Sequence, residues 1–268
     1  ILNLLSHNAE ILSGSVMWKD QDVLHMDKHA LRRLHGGQIG LIFQNPMASL
    51  NPVFTIGNQL VETICLHQDV SKEDAHTIAV DLLRKVNIPD PQIRIHDYPH
   101  QFSIGMCQRV MIALTLAMKP TLLIADEPTA SLDVTIQAQI LSLLQSLKTE
   151  FDMSILLISH DLGVIAQHCD YIYIMYLGKI VEQGPPEQIF SNPLHPYTQA
   201  LISSIPIPDP KKKVEVSLLQ GDIPSPLNIP TGCRFHPRCP KAMPECSKKE
   251  PKMCSHSCGS DVACFLYS

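Results

Sequence analysis

Apolar residues in this chain occur in two spacings. Largely apolar runs of four to seven residues lie at 39–43, 122–125 and 153–159, the form of strands buried on both faces of a parallel sheet. A further strand is expected at 171–175, followed by a turn and a second strand over 178–184. The other spacing is helical. Ile78, Leu82 and Val86 recur every fourth residue within 71–86, where Ser71 offers an N-cap and acids fill the first turn. Ile136, Ile140, Leu144 and Leu147 form a second stripe in 134–147. The spacing also predicts an apolar helix over 110–118, a polar one over 27–34 with Leu31 and Leu34 on one side, and a helix tail at 1–5. The stretch 13–18 reads as a turn entering a strand.

Punctuation separates these elements. Asn45-Pro46 and Asn51-Pro52 are expected to forbid regular structure, and Asn87 with Pro89 to stop the preceding helix. From about residue 191 the chain turns proline-rich, which predicts an extension rather than more sheet. The pattern as a whole is α/β, with helices alternating with strands of a mostly parallel sheet.

Composition narrows the picture only where it departs from the average. At 268 residues, 45% hydrophobic and 18% charged, the chain is of ordinary globular type. Its net charge of −5 provides no basic footprint for nucleic acid. No apolar run approaches the ~20 residues that cross a bilayer, and no signal peptide precedes the first strand, so a membrane role is expected to come through a partner. The sequence opens at Ile1 inside an apolar segment, without Met, and reads as a fragment whose upstream part is missing. Of nine cysteines, Cys65, Cys107 and Cys169 are scattered and the other six crowd into residues 233–268. Such clustering suits metal or cluster ligation in a reducing compartment better than a secreted disulfide scaffold.

The candidate chemistry sits at strand ends. Asp126 and Glu127 follow the run 122–125 directly, and ligands in parallel sheets bind beyond the carboxyl ends of strands. A carboxylate there can hold Mg²⁺ through oxygen and leave room for phosphates, while its neighbour orients or deprotonates a water. Gln44 ends the run 39–43, and His160 follows the run 153–159. Ser103 and Gly105 lie in the stretch 98–109 that leads into the apolar helix. Taken singly, each also has a bland reading as a solvated acid, a turn glutamine or a structural histidine.

Read together, these segments resemble the ATP-binding cassette (ABC) ATPases. The stretch from Leu122 through Asp126, Glu127 and Asp133 resembles their Walker B and D-loop, and Phe43-Gln44-Asn45-Pro46 their Q-loop. Phe102-Ser103-Ile104-Gly105-Met106 resembles their signature, and Ile158-Ser159-His160-Asp161 their H-loop. The wording of the Q-loop, and of 192–201, is similar to the peptide/nickel importer branch. Two positions depart from that pattern. Ile104 replaces a signature glycine, and a branched side chain limits the approach of a phosphate; Cys107 stands where arginine is common.

The resemblance implies an ATPase that powers import of di- or oligopeptides, using ATP and Mg²⁺. Its catalytic residues would be Glu127, His160 and Gln44. Asp126 would hold Mg²⁺, Ser103 and Gly105 would serve the nucleotide of a partner, and Asp133 would lie at the dimer seam. Partners would be a second ATPase subunit, identical or not, two integral-membrane permease subunits and, indirectly, a peptide-binding protein. The location implied is the cytoplasmic face of a bacterial or archaeal inner membrane. Residues 1–190 would form the nucleotide-binding domain, with a helical subdomain at about 52–118, and 191–268 the extension.

Within that extension Cys233, Cys239, Cys246 and Cys264 are separated by five, six and seventeen residues. Four thiolates suit an iron–sulfur cluster or Zn²⁺, and the family resemblance favours a [4Fe-4S] cluster. No Gly-x-x-x-x-Gly-Lys-Ser/Thr loop occurs in these 268 residues; the resemblance places it upstream of Ile1. Three alternatives follow from the same residues: a non-hydrolysing subunit acting in assembly or regulation, a nickel importer ATPase, and a metal or redox sensor built on the cysteines.

Overall fold

Three parallel strands organise the first half of the chain: β3 (Ile39–Ile42), β4 (Leu122–Asp126) and β5 (Ser154–Ile158), in that spatial order. They pair in register, Ala125 beside Ile42 and Asp126 beside Ile158, so their carboxyl ends align along one edge. The computed structural model describes Leu2, Leu4, Leu5, residues 9–205, Leu219 and residues 221–257 and 259–267. These fall into two units, Ile1–Ile158 and Ser159–Ser268.

In the first unit a hairpin, β1 (Met17–Trp18) and β2 (Gln21–Asp22), precedes the parallel strands. Its two loop residues, Lys19 and Asp20, both have positive φ, the backbone that matches strand twist in a two-residue turn. Helix α1 (Lys28–Gly37) follows, capped by Asp27, which accepts from the Ala30 N–H at 2.7 Å. Between β3 and β4 come α2 (Pro46–Ser49), α3 (Ile56–His67), α4 (Lys72–Lys85), α5 (Pro91–Arg94) and α6 (Ile104–Leu116). Helix α7 (Val134–Glu150) joins β4 to β5. The core is built where the two spacings meet: Ile42, Leu123 and Ala125 of the sheet pack with Leu60, Leu83, Ile112 and Ile140 of the helices, all essentially buried. Each such leucine or isoleucine contributes roughly 1.5–3 kcal/mol when removed from water.

The second unit holds α8 (Leu162–His168), β6 (Ile172–Tyr176), β7 (Lys179–Gly184), α9 (Pro186–Ser191), α10 (Pro196–Ser203), β8 (Cys254–Ser255) and β9 (Asp261–Val262). Its strands form one antiparallel sheet in the order β6-β7-β9-β8.

Five expectations change. Asn45-Pro46 does not forbid a helix: proline at the first helical position loses no intrahelical bond, and the Asn45 side chain caps α2 by accepting from the Met47 and Ala48 N–H groups. The apolar helix expected at 110–118 begins six residues earlier, because Ser103 caps it, and ends at Leu116. Strand β5 is not buried on both faces; its middle residues are half-buried and Ile158 is 45% exposed, because the described residues do not cover it as they cover β3, which is likewise an edge strand. The proline-rich extension does return to the sheet. Strand β9 pairs along the edge that β7 leaves open, the Ala263 N–H donates to the Val181 carbonyl at 2.9 Å, and Val262 is fully buried. Of the expected helix tail, Ile1 and Asn3 lie outside the described residues, and Leu2, Leu4 and Leu5 are not helical.

Candidate functional site

The alignment of strand ends brings Gln44 to Glu127. Gln44 lies two residues beyond β3 and Glu127 one beyond β4, and the Gln44 Nε2 donates to Glu127 Oε2 at 2.7 Å. Asp126, the last residue of β4, is exposed beside them. The chain turns at once after it. Glu127 has φ of 44°, a left-handed conformation that costs a non-glycine residue on the order of 1–3 kcal/mol. Two backbone bonds hold it there. Its N–H continues the ladder by donating to the Ile158 carbonyl at 2.9 Å, and its carbonyl accepts from Ala130 at 3.2 Å. Pro128 and Thr129 are buried beneath the turn. The strained residue is thus the one that carries the second carboxylate.

A second group gathers at the starts of α6 and α7. The Ser103 hydroxyl accepts from the Met106 N–H at 3.3 Å and caps α6. Asp133 caps α7, its Oδ1 accepting from Thr135 and Ile136 at 3.0 Å each. The two helix starts touch because Gly105 has no side chain: a Cβ there would lie 3.0 Å from Ile136 Cγ2. A cavity of about 640 Å³ opens on this corner, lined among others by Ser103, Gly105, Arg109, Ser131, Asp133 and Gln139. Ile104 lines it too and is 48% exposed. Cys107, by contrast, is fully buried; its thiol donates to the Pro99 carbonyl, and burial raises its pKa.

His160 belongs to the second unit and is exposed, two residues past the end of β5 in sequence. The residues around it are fixed locally: Asp161 donates its N–H to Ser159 Oγ at 3.0 Å and caps α8 through Gly163 and Val164.

Also in the second unit, the four cysteines predicted as a set are near enough to act on one another electrostatically. Burial first, and then the presence of Cys233, Cys239 and Cys246, pushes the Cys264 thiol up to about 11. Burial likewise raises Cys233 and Cys239. The Cys246 sulfur accepts the Met243 N–H at 3.4 Å, and nearby backbone N–H groups partly offset the effect of burial at Cys233, Cys239 and Cys264. Cys254 is of the opposite kind, its thiol donating to the carbonyls of Val262 and Tyr267. Gly232 permits the loop: its φ is 71°, and a Cβ there would lie 2.4 Å from the Cys246 carbonyl. Among the described residues no three His, Cys, Asp or Glu side chains are arranged around a single metal ion, and no helix is long and apolar enough to cross a membrane. Cys258 lies outside the described residues.

Sequence reasoning did not single out Arg109, Gln139 or the Ile158 carbonyl. No one-dimensional signal marks the last two, since a backbone carbonyl and an exposed helical glutamine acquire roles only through their neighbours. Arg109 had a weak signal, as a charge opening an otherwise apolar helix.

Two family models match the chain, "ABC transporter" over residues 1–130 and "Oligopeptide/dipeptide transporter, C-terminal region" over residues 181–246. The oligopeptide transport ATP-binding protein AppD of Bacillus subtilis is 45% identical over 98% of this chain and 80% of its own length. The dipeptide transport ATP-binding protein DppD of Haemophilus influenzae is 45% identical over 97% of this chain and 78% of its own length. Among solved structures, cbiO1 of Clostridium perfringens, part of the ABC transporter complex cbiONQ, superposes with a TM-score of 0.60 at 25% identity, covering 68% of this chain and 69% of that one.

Proposed function

Because the chain belongs to the family of oligopeptide/dipeptide ABC transporter ATP-binding proteins, we propose that it hydrolyses ATP to energise import of short peptides. The peptide-transport names of its relatives support this over nickel import and over a non-hydrolysing subunit. The observation that carries the residue assignment is the Gln44–Glu127 hydrogen bond at the aligned ends of β3 and β4, next to Asp126. Oxygen and amide groups at strand ends are the donor set that Mg²⁺ with a nucleotide triphosphate requires. Bound Mg·ATP supplies the phosphoryl group. Asp126 holds the metal, directly or through water; Glu127 polarises the attacking water; Gln44 orients Glu127 and the water. His160 contacts the terminal phosphate. Ser103 and Gly105 serve the nucleotide of a second ATPase subunit, with Asp133 at the seam between the two. Membrane association comes through permease subunits, which supports a peripheral place on the cytoplasmic face. Residues 1–190 are assigned to the nucleotide-binding domain and 191–268 to the extension.

In the subunit expressed from its complete reading frame, Glu127→Gln is expected to lower kcat on the order of 100-fold or more while nucleotide binding persists. Near-normal turnover in that variant would overturn these roles.

One observation favours a second, independent reading of the extension. Cys233, Cys239, Cys246 and Cys264 lie near enough to act on one another, with a backbone N–H donated to Cys246; such a group suits thiolates holding a [4Fe-4S] cluster, whose corners set sulfurs wider apart than a single ion does. On this reading Cys264→Ser loses iron and the visible absorption of anaerobically purified protein, whereas Cys254→Ser keeps both. Iron-free, colourless wild-type protein prepared in that way would exclude a cluster.

A further inference from the structure

Arg109 lies on α6, close to two turns beyond the Ser103 cap, and reaches two other helices at once. Its Nη1 donates to the carbonyl of Val86, the residue that ends α4, at 3.0 Å. Its Nη2 donates to Gln139 Oε1 on α7 at 2.9 Å. The guanidinium is half-buried, and the loss of water lowers its proton affinity, so the two acceptors replace hydration the side chain has given up. The Val86 carbonyl is a favourable one, since a helix carboxyl end leaves carbonyls without intrahelical partners and carries partial negative charge. A guanidinium is a planar fork, and donors fixed in one plane fix the directions of both acceptors. Four residues toward the helix start, Gly105 and Ile136 bring α6 and α7 into contact. With one contact at each level, neither helix can slide or rotate along the other without breaking one of them.

What this pair of contacts holds is the spacing of the two caps, Ser103 and Asp133, both of which open on the same cavity. Resting on the functional reading above, we propose that Arg109 is a positioning residue for hydrolysis at the partner's nucleotide. It acts through Ser103 and Asp133, by fixing where the two helix starts stand relative to one another, and does not itself need to touch the phosphates. A displacement of about 1 Å at a reacting group can cost a hundredfold in rate, so a loosened pair of helix starts is expected to weaken the chemical step before it weakens nucleotide capture.

The test uses the assembled transporter, with this subunit expressed from its complete reading frame. Arg109→Met is expected to lower kcat for ATP by about tenfold to a hundredfold while KM stays within about threefold, with the thermal midpoint of the subunit little changed. Arg109→Lys keeps the charge but serves one acceptor at a time, and is expected to recover only part of the rate. Gln139→Ala removes one acceptor and is expected to fall between wild type and Arg109→Met. Normal kcat in folded Arg109→Met, or full recovery by lysine, would overturn the proposal. So would a joint fall of kcat, nucleotide affinity and thermal midpoint, which marks a simple packing strut. Glu127→Gln measured alongside separates the two levels: if it still hydrolyses ATP, the functional reading itself has failed.

Discussion

Asp133 has an observed task and a proposed one, and chemistry can separate them. Its carboxylate caps α7 through two N–H groups, and it is assigned to the seam between ATPase subunits. Asparagine caps as well as aspartate, whereas alanine loses about 1 kcal/mol. Asp133→Asn should therefore melt near wild type and Asp133→Ala lower, as read by thermal denaturation. If the seam role is correct, both lose ATP turnover despite that difference. His195 is a case where burial alone sets the chemistry. It is 1% exposed, accepts from the Tyr197 N–H at 3.1 Å, and burial lowers its pKa to about 4. The folded form therefore disfavours protonation relative to the unfolded chain, whose histidine titrates near 6.5. Stability from this group is complete above about pH 6.5 and falls as pH drops toward 4, by about 3 kcal/mol in all. Urea midpoints across that interval should show the slope, and a stably folded His195→Asn variant should flatten it. An equally steep slope in the variant would assign the effect elsewhere.

At the scale of elements, the second unit depends on a buried carboxylate. Glu182 of β7 is fully buried, and its two oxygens accept from the N–H groups of Leu194 and His195 at 2.8 and 2.9 Å. It thereby ties the strand to the start of α10. Phe235, 1% exposed, packs edge-on against Tyr176 of β6 and beside Tyr197 of α10, and so anchors the loop that begins the cysteine set. Glu182→Ala would leave two donors buried without acceptors, at roughly 1–3 kcal/mol each. We expect a loss of that order in chemical denaturation, larger than for any exposed acid. A loss within about 0.5 kcal/mol, the range of ordinary surface substitutions, would show that water reaches those N–H groups.

For the whole molecule, the division of labour implied by the site has a hydrodynamic signature. If Ser103, Gly105 and Asp133 face a partner's nucleotide, an ATPase that binds without hydrolysing should accumulate in the closed pair. Glu127→Gln, from the complete reading frame, is expected to elute as a dimer with Mg·ATP and as a monomer with Mg·ADP, measured by light scattering. A monomer in both would argue against the sandwich. Where this chain pairs with a non-identical subunit, that subunit must be present in the same experiment.

Much of this was legible along the chain, for identifiable reasons. Runs of four or five apolar residues can be satisfied only by burial, so β3 and β4 and the two acids at the end of β4 were set by local pattern. Ser71, acids in the first turn and Asn87 define α4 from within itself. Tertiary structure decided what depends on neighbours distant in sequence. Proline at residue 46 starts a helix because Asn45 turns back to cap it, and β5 is half-exposed because its faces are less covered than those of β3. The extension rejoins the sheet because β7 offers an open edge. Arg109 acquires its two acceptors only when α4 and α7 are brought to α6. A sequence fixes which residues must leave water and which must keep polar partners; the fold chooses those partners, because a hydrogen bond reads distance in space and not along the chain.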